Sequence, residues 1–388
     1  MATYNYMEIR TPIFEQTSLF SRSIGELTDI VSKEMYTFLD RSEESVTLRP
    51  EGTASVIRAY IQNNLGEQSP FSKLYYIGPM FRQERPQAGR FRQFHQFGVE
   101  ALGSSSPHLD VEIMLVPLEV YRRLGITETA LFINSVGCQN CRPAYKEKLI
   151  AELQKISGKL SPESQTRLLL NPLRVLDSKD ERDLNATNNV PLMKDFLCNE
   201  CAVHFDGVQS MLKTLGVSYT VNGRLVRGLD YYTKTAFEIT STALGSQDAL
   251  AGGGRYDLLV EELGGKPTPG VGFAAGMERL MMVLHKTGSL RAKRQIPSVF
   301  IIGIDEQSRS WAFTKATHLR TSGIPVELDY LGRSLKAQMR EANRQEAEHV
   351  LVVGDSELRS GKAMLKNMKT GNERQIELDN IEDALRSL

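Results

Sequence analysis

The stretch from Tyr75 to Gly103 constrains the fold more than any other part of this sequence. It begins with Tyr75, Tyr76 and Ile77 and ends with bulky or apolar residues that alternate with polar ones, a pattern that predicts two strands. A polar loop over residues 83–93 separates the two runs. The pattern therefore indicates an antiparallel strand–loop–strand unit with a long tip.

The tip of this unit is rich in arginine, with one glutamate among the basic residues: Arg82, Arg85, Arg90, Arg92 and Glu84. The planar guanidinium group binds phosphate or carboxylate through two hydrogen bonds. Several such groups on one loop beside aromatic residues suggest a polyphosphate site. A solvated, charged hairpin tip explains this run alone equally well.

Length and composition restrict the class of protein. A chain of 388 residues with 41% hydrophobic residues should form two or three soluble domains. It has no run of about 20 apolar residues and no basic region followed by an apolar core at its start, so we expect a cytoplasmic protein without a membrane span. Lys plus Arg equals Asp plus Glu, at 47 each, which argues against general nucleic-acid affinity but permits a local basic groove.

Residues 49–53, R-P-E-G-T, precede an apolar-periodic run that predicts a helix with Thr53 as its N-cap. A carboxylate and a hydroxyl at a helix start, here Glu51 and Thr53, could hold an ammonium group. Simple helix capping is the alternative. A helix at 108–123 and a strand at 129–135 follow, which together predict an antiparallel sheet flanked by helices.

The pattern changes to helical periodicity from Cys138 to about Gly216, which predicts an inserted helical subdomain. This insert holds the four cysteines of the chain as two C-x-x-C pairs: Cys138, Cys141, Cys198 and Cys201. Two such pairs are typical of a tetrahedral thiolate zinc site in a reducing compartment. We therefore predict a structural Zn²⁺, the alternative being four buried, unpaired thiols.

Three later segments carry candidate ligand-binding residues. Arg227 lies in a β-rich apolar setting, where it needs an anionic partner; that partner is a ligand or the nearby Asp230. Residues 249–257, A-L-A-G-G-G-R-Y-D, allow close approach of backbone and ligand or form a glycine-rich turn. In residues 270–284 a strand of small residues leads into a helix that starts near Arg279.

A basic, polar link at 290–295 precedes the last part of the chain. Beyond it strands and helices alternate, which predicts a small parallel or mixed sheet. No Walker loop or Rossmann fingerprint is present, so arginines would have to hold any nucleotide.

The motifs together resemble the histidyl-tRNA synthetase family of class II aminoacyl-tRNA synthetases. The resemblance rests on F-R-Q-E-R at 81–85, E-I-R-T-P-I-F-E at 8–15, R-G-L-D-Y-Y-T-K-T-A-F-E at 227–238 and G-M-E-R at 276–279. It implies an α+β protein in which an antiparallel catalytic sheet is flanked by helices. The implied domains are a catalytic domain at 1–137 and 217–289, a helical insertion at 138–216 and an α/β anticodon-binding domain at 297–388.

The resemblance also implies roles for individual residues. Arg82, Arg227 and Arg279 would be catalytic, and ATP would be bound by Arg82, Glu84, Arg90 and Arg279. Histidine would be bound by Glu51, Thr53, Gln96, Glu100, Tyr231, Tyr232 and Tyr256. Within this set Glu100 and Tyr232 would bond the two imidazole nitrogens.

The expected reaction joins L-histidine to tRNA(His) with ATP and Mg²⁺. A homodimer is expected from the same resemblance, but the family's first motif includes a helix before the strand, and this chain starts at the strand. We therefore expect either a truncated start or an altered dimer interface. The rival functions are an enzyme made inactive by the missing segment and a non-catalytic regulatory subunit of histidine biosynthesis; paralogues of the second kind typically lose the catalytic arginines and the C-terminal domain.

Overall fold

The computed structural model describes residues 1–25, 28, 30–85, 87, 89–226, 229, 231–245, 249–288 and 296–387. The chain divides into two compact units, Met1–Leu290 and Arg291–Leu388. Within the described part of the chain, every helix is too short or too polar to cross a bilayer.

The larger unit combines short and long strands with ten α-helices among its described residues. The strands are β1 (Met7–Glu8), β2 (Phe14–Gln16), β3 (Tyr36–Leu39), β4 (Ser45–Leu48), β5 (Ser72–Phe81), β6 (Gln93–Leu102), β7 (Ala130–Ser135), β8 (Thr220–Val221), β9 (Thr233–Thr240), β10 (Ala249–Arg255) and β11 (Gly270–Gly276). The helices are α1 (Thr17–Ile24), α2 (Thr53–Gln62), α3 (Leu65–Gln68), α4 (Pro107–Arg123), α5 (Arg142–Lys155), α6 (Pro162–Leu170), α7 (Glu181–Ala186), α8 (Asn199–Thr214), α9 (Leu259–Glu262) and α10 (Met277–Lys286).

The main sheet of this unit has the strand order β1-β5-β6-β11-β10-β9-β7-β8. Its central pairs from β5 to β7 are antiparallel, and only the edge strands β1 and β8 pair in parallel among the described residues. Strands β2, β4 and β3 form a second, antiparallel sheet. The predicted fold class, an antiparallel sheet flanked by helices, is confirmed.

Helices α4, α8 and α10 cover one face of the main sheet, where Val99, Phe237 and Phe273 of the strands meet apolar residues such as Ile113 of α4 and Val283 of α10. In β5 buried residues alternate with more exposed ones, because one face of a half-buried strand meets the core and the other meets polar surroundings. Strand β6 is buried on both faces from Phe97 onward, where it runs through the middle of the unit.

Helices α5 to α8 lie between β7 and β8 and have an apolar core that includes Tyr145, Leu149, Leu153 and Leu168. This arrangement agrees with the helical periodicity of the segment. The division of the catalytic part at 137 and 217 stays a prediction.

A buried charged cluster was not predicted from the sequence. The Asp110 carboxylate is fully buried and accepts hydrogen bonds from Arg255, from Thr235 at 2.6 Å and from His204, whose Nε2 lies 2.6 Å away. The sequence placed Asp110 only within the helix predicted at 108–123. Its buried partners lie between 94 and 145 residues away, so no local pattern indicates them.

The smaller unit contains β12 (Val299–Gly303), α11 (Glu306–Thr321), β13 (Val326–Leu328), α12 (Leu335–Arg344), β14 (His349–Val353), α13 (Asp355–Ser360), β15 (Lys362–Asn367), β16 (Glu373–Glu377) and α14 (Ile381–Arg386). Its sheet has the order β13-β12-β14-β15-β16. The first three strands are parallel and the last two pair antiparallel, as the predicted mixed sheet requires. The short helix α13 was missed.

Three further expectations of local structure differ from what the structure shows. Thr53 is the first residue of α2 and not its N-cap, which is Gly52. Residues 8–15 were expected to form a strand that ends in a turn at Pro12, but β1 already ends at Glu8 and the next strand, β2, begins at Phe14. The glycine-rich run at 249–257 is not a turn: residues 249–255 form the central strand β10.

Candidate active site

A cleft of about 210 Å³ opens over strands β6, β11, β10 and the start of α2. Ten of the predicted ligand-binding residues line this one cleft: Glu51, Thr53, Arg82, Glu84, Arg90, Gln96, Tyr231, Tyr232, Tyr256 and Arg279. Glu100 lies directly behind two of them. Arg227 and its alternative partner Asp230 lie outside the described residues.

Glu100 is the buried acid at one end of the cleft. Its side chain accepts hydrogen bonds from the Thr53 hydroxyl at 2.7 Å and from the Tyr256 hydroxyl. Complete burial raises the pKa of Glu100 to about 8, because a carboxylate loses its hydration there; the two hydroxyl donors oppose this rise. A carboxyl group of this kind can accept or donate a hydrogen bond near neutral pH.

Glu51 lies beside Glu100 at the N-terminus of α2. Its carboxylate accepts hydrogen bonds from the backbone N–H groups of Thr53 at 2.6 Å and Ala54 at 2.8 Å. Burial raises the pKa of Glu51, and these backbone bonds and the charge of Arg82 counteract that rise. The Glu51 side chain therefore caps the N-terminus of α2 and also lines the cleft.

Aromatic side chains close the same end of the cleft. The Tyr231 ring lies 4.7 Å from the Tyr232 ring and 5.8 Å from the Tyr256 ring, the latter in an edge-to-face arrangement. Gln96 reaches the cleft from β6, and its buried Oε1 has no hydrogen-bond partner among the described residues. A buried acceptor without a partner is costly, so a donor from a ligand would complete this part of the site.

The opposite end of the cleft is basic. Arg279 donates hydrogen bonds to the backbone oxygens of Gly89 at 3.1 Å and Ala249 at 2.9 Å, which fix the guanidinium group over β10. Arg82 donates to the oxygen of Pro50 at 2.9 Å and lies 5.4 Å from the centre of the Phe94 ring. Backbone oxygens and an aromatic face, which carry no net charge, make the hydrogen bonds and ring contact that hold these two arginines.

The electrostatics of this end favour an anion. Desolvation, followed by repulsion from Arg90, lowers the pKa of Arg279. Glu84 is shared, at 3.8 Å from Arg82 and 3.4 Å from Arg90. One carboxylate thus serves two guanidinium groups, and a polyphosphate would add the missing negative charge.

The floor of the cleft is formed by glycines of β10 and β11. A Cβ atom at Gly272 would lie 1.9 Å from Oε2 of Glu100 and 2.5 Å from the backbone oxygen of Val99. Behind the floor, a Cβ atom at Gly253 would lie 2.2 Å from the backbone oxygen of Gly272. A larger residue at Gly272 would therefore displace the buried acid, and one at Gly253 would displace the neighbouring strand β11.

Some residues of the cleft were not predicted. Phe91, Phe94 and Glu238 line its basic end, and Glu278 lines it from the start of α10. Neither Phe94 nor Glu238 was given a role in binding, and on β9 Glu238 is a half-buried residue between buried neighbours. A charged residue that alternates with buried ones on a central strand is the signal that could have identified Glu238.

The two cysteine pairs meet at a second site. Their sulfur atoms all lie within 4.8 Å of one another. The Cys138 sulfur is 3.6 Å from that of Cys141 and 3.9 Å from that of Cys198. Tetrahedral zinc with Zn–S bonds of about 2.3 Å places its sulfurs about 3.8 Å apart. All four cysteines are free thiols, so the fold assembles a set of donors that fits this ion.

An antiparallel sheet with a glycine floor, arginines at one end of its cleft and a buried acid at the other is the catalytic architecture of a class II aminoacyl-tRNA synthetase. The sequence profile of the histidyl-tRNA synthetase family matches residues 1–280, and that of an anticodon binding domain matches residues 298–388. The chain therefore belongs to the histidyl-tRNA synthetase family.

Individual relatives cover nearly the whole chain. The histidine–tRNA ligase of Halothermothrix orenii is 52% identical over 385 residues, which are 99% of this chain and 92% of that protein. That of Acetivibrio thermocellus is 47% identical over 383 residues, with the same coverage. The crystal structure of apo S. aureus histidyl-tRNA synthetase is 39% identical and has a TM-score of 0.82, covering 100% of this chain and 92% of that one. The predicted family is confirmed.

Proposed function

We infer that this protein is a histidine–tRNA ligase, which activates L-histidine with ATP and transfers it to tRNA(His). The observation that carries this function is the polarity of the cleft. A buried acid with tyrosines lies at one end and fixed arginines lie at the other, on one glycine floor. One ligand pair, an amino acid with a polar ring and a nucleoside triphosphate, matches both ends.

The amino acid is held at the acidic end. Glu100 and Tyr232 bond the two ring nitrogens of histidine, and Tyr256 holds Glu100 in place through its hydroxyl. Glu51, Thr53 and Gln96 receive the ammonium group, for which the unpartnered Gln96 oxygen is a ready acceptor. A site that pairs both ring nitrogens rejects amino acids without them, because its buried polar groups would be left unpaired.

The nucleotide is held at the basic end. Arg82 binds the α-phosphate and the histidine carboxylate, while Arg279 binds the terminal phosphate region, with Arg90 and Glu84 beside them. The resemblance gives Arg227 a further catalytic role at the α-phosphate. In the first step the histidine carboxylate oxygen attacks the α-phosphorus, the bond to the bridging oxygen breaks and pyrophosphate leaves. The arginines stabilise the negative charge that spreads over the phosphoryl oxygens.

Mg²⁺ enters with the nucleotide, as is typical of this ATP-dependent family. Glu84 and Glu238 are carboxylates that line the basic end of the cleft, and oxygen ligands of this kind suit Mg²⁺. In the second step the 3′-terminal ribose of tRNA(His) takes the histidyl group from the adenylate, with release of AMP. The smaller unit carries the anticodon-binding function.

We also propose a homodimer in the cytoplasm. The second sheet exposes large apolar side chains: Phe14 is 56%, Phe38 49% and Leu39 65% exposed. Apolar side chains grouped on one small sheet are typical of a protein interface. Sedimentation analysis tests this proposal, with a mass of one chain at micromolar concentration as the contradicting result.

The four cysteines are proposed to hold a structural Zn²⁺. The four sulfur atoms lie within 4.8 Å of one another, so one ion could contact all of them, and its binding would release the protons of the thiols. Such an ion joins two segments of the helical region and contributes to folding and not to the chemical step.

Histidine-dependent exchange of pyrophosphate into ATP tests the activation step. We expect Arg82→Ala and Arg279→Ala each to reduce kcat/KM by about 10²–10³, the range for removing a charge-stabilising group. Arg359→Ala, which changes an exposed arginine of the smaller unit, is the control. Near-normal exchange in both cleft variants, with circular dichroism showing a native fold, would contradict the assignment.

A further inference from the structure

The residue that follows the first cysteine pair contacts the wall of the amino-acid pocket. Arg142 directly follows Cys141 and begins α5. Its Nε donates to the backbone oxygen of Val136 at 3.1 Å, and its Nη2 donates to the backbone oxygen of Tyr232. The segment that carries Cys141 therefore holds the main chain of a tyrosine that lines the pocket.

A residue that lies between the two cysteines of the second pair, on α8, contacts the same wall. Glu200 lies between Cys198 and Cys201 and accepts a hydrogen bond from Lys234 Nζ at 2.8 Å. The same ammonium group lies 3.4 Å from Oδ2 of Asp257, which follows Tyr256 in the chain. Only 12% of the Lys234 side chain and 18% of the Asp257 side chain are exposed, so this contact is largely shielded from water, whereas the Glu200 side chain is 73% exposed and its contact lies at the surface.

The backbone of Lys234 is also held by the first pair's segment. Lys234 has φ of 49°, a left-handed conformation that a lysine rarely adopts. Its N–H donates to the backbone oxygen of Gly137 at 2.8 Å, and its own oxygen accepts from Val136 at 2.7 Å. Surroundings that impose such a conformation must themselves be fixed. Gly137 immediately precedes Cys138.

We propose that a Zn²⁺ ion on the four cysteines positions Tyr232 and Tyr256, and thereby sets the affinity for the amino acid, through Arg142 and Lys234. The inference rests on the proposed function and on the zinc site. The pairs are separated by 56 residues (198 − 141 − 1), and no disulfide joins them. An ion held by all four thiolates would join the two segments that contact residues 232–234.

The nucleotide end has supports of its own. Arg82 and Arg279 are fixed by the backbone oxygens of Pro50, Gly89 and Ala249, none of which belongs to the cysteine segments. Loss of the ion should therefore weaken histidine binding much more than ATP binding. This difference between the two substrates separates a positioning role from general loss of folding.

The experiment uses the full-length protein and variants that retain all four thiols. Arg142→Met removes the bond to Tyr232, and Lys234→Met removes those to Glu200 and Asp257. We expect each to raise the dissociation constant for histidine about tenfold, measured by calorimetry, since a bond from a charged donor is worth about that factor. The KM for ATP in pyrophosphate exchange should change less than twofold, and zinc should remain at one ion per chain. Lys155→Met, on the exposed face of α5, is the matched control and should behave as the parent protein.

Metal removal is the second arm. Chelation under reducing conditions should release one zinc ion per chain and raise the histidine dissociation constant more than either variant. Zinc-free protein that binds histidine as tightly as the parent would overturn the inference, as would purified protein with no zinc and four titratable thiols. If the zinc-free protein unfolds, the Arg142 and Lys234 variants provide the test. Equal changes in the dissociation constant for histidine and in the KM for ATP would then overturn the inference. A parent protein without histidine-dependent exchange refutes the proposed function instead.

Discussion

Glu100→Gln is the substitution whose effect on stability can be worked out most directly. Burial raises the pKa of Glu100 from 4.5 to about 8. Between these values the folded state binds a proton that the unfolded state releases, so the free energy of unfolding falls as pH rises. At about 1.4 kcal/mol per pH unit the total loss between pH 4.5 and 8 is about 5 kcal/mol.

Glutamine has the shape of the protonated acid and does not ionise. At pH 5 the variant and the parent protein should differ in stability by less than about 1 kcal/mol, because Glu100 is still protonated in the folded state and the unfolded chain has only begun to release its proton. From pH 5 to pH 8 the free energy of unfolding of the variant should increase relative to that of the parent by about 1.4 kcal/mol per pH unit. By pH 9 it should be the more stable protein by several kcal/mol, although its binding of histidine is reduced.

Amide hydrogen exchange of peptides from β6 measures this effect locally. The sole tryptophan, Trp311, lies on α11 of the smaller unit, so its fluorescence does not report on the sheet around Glu100. Comparing parent and variant at the same pH cancels the intrinsic exchange rate, and the remaining difference is the opening free energy. Glu128→Gln changes an exposed glutamate and serves as the control. Parallel curves for Glu100→Gln and the parent between pH 5 and 9 would refute the reasoning.

Three further substitutions probe separate parts of the larger unit. Asp110→Ala leaves the buried Arg255 without its main partner and should lower the free energy of unfolding in urea by about 3–5 kcal/mol. A decrease of less than about 1 kcal/mol would contradict a stabilising role for this buried ion pair. Gly272→Ala places a methyl group against Glu100 and should raise the KM for histidine at least tenfold, while an unchanged KM would show that the floor can yield. Arg279→Lys keeps the charge but loses the fork to Gly89 and Ala249, so the KM for ATP should rise about tenfold; a normal KM would show that charge alone suffices.

Some of the predicted site residues lie in segments whose local structure the sequence indicates clearly. Arg82 and Arg279 lie on a hairpin and at a strand–helix junction, both of which have clear local signals, and both line the cleft. Glu51 was correctly placed at a helix start, but the capping role was given to Thr53, because a threonine there is the commoner cap.

Contacts between distant segments could not be predicted in the same way. Arg255 sits in a glycine-rich run whose pattern fits a turn or a strand, and its partner Asp110 is 145 residues away. The links from Arg142 and Lys234 to the pocket have the same character. They depend on which distant segments, here β7, β9 and the two cysteine segments, are neighbours in the fold. Neither periodicity nor composition indicates these neighbours.

Helix α8 belongs to two cores at once. Cys201 near its start packs with the helical region, whereas Phe205, Val208 and Leu212 further along pack against the main sheet. Deleting residues 138–216 to obtain a minimal catalytic fragment would thus remove three buried side chains from the core that packs against the main sheet. A graft of this region between relatives should instead be joined within α8, between Cys201 and Phe205, so that the second half of the helix stays with the scaffold it stabilises.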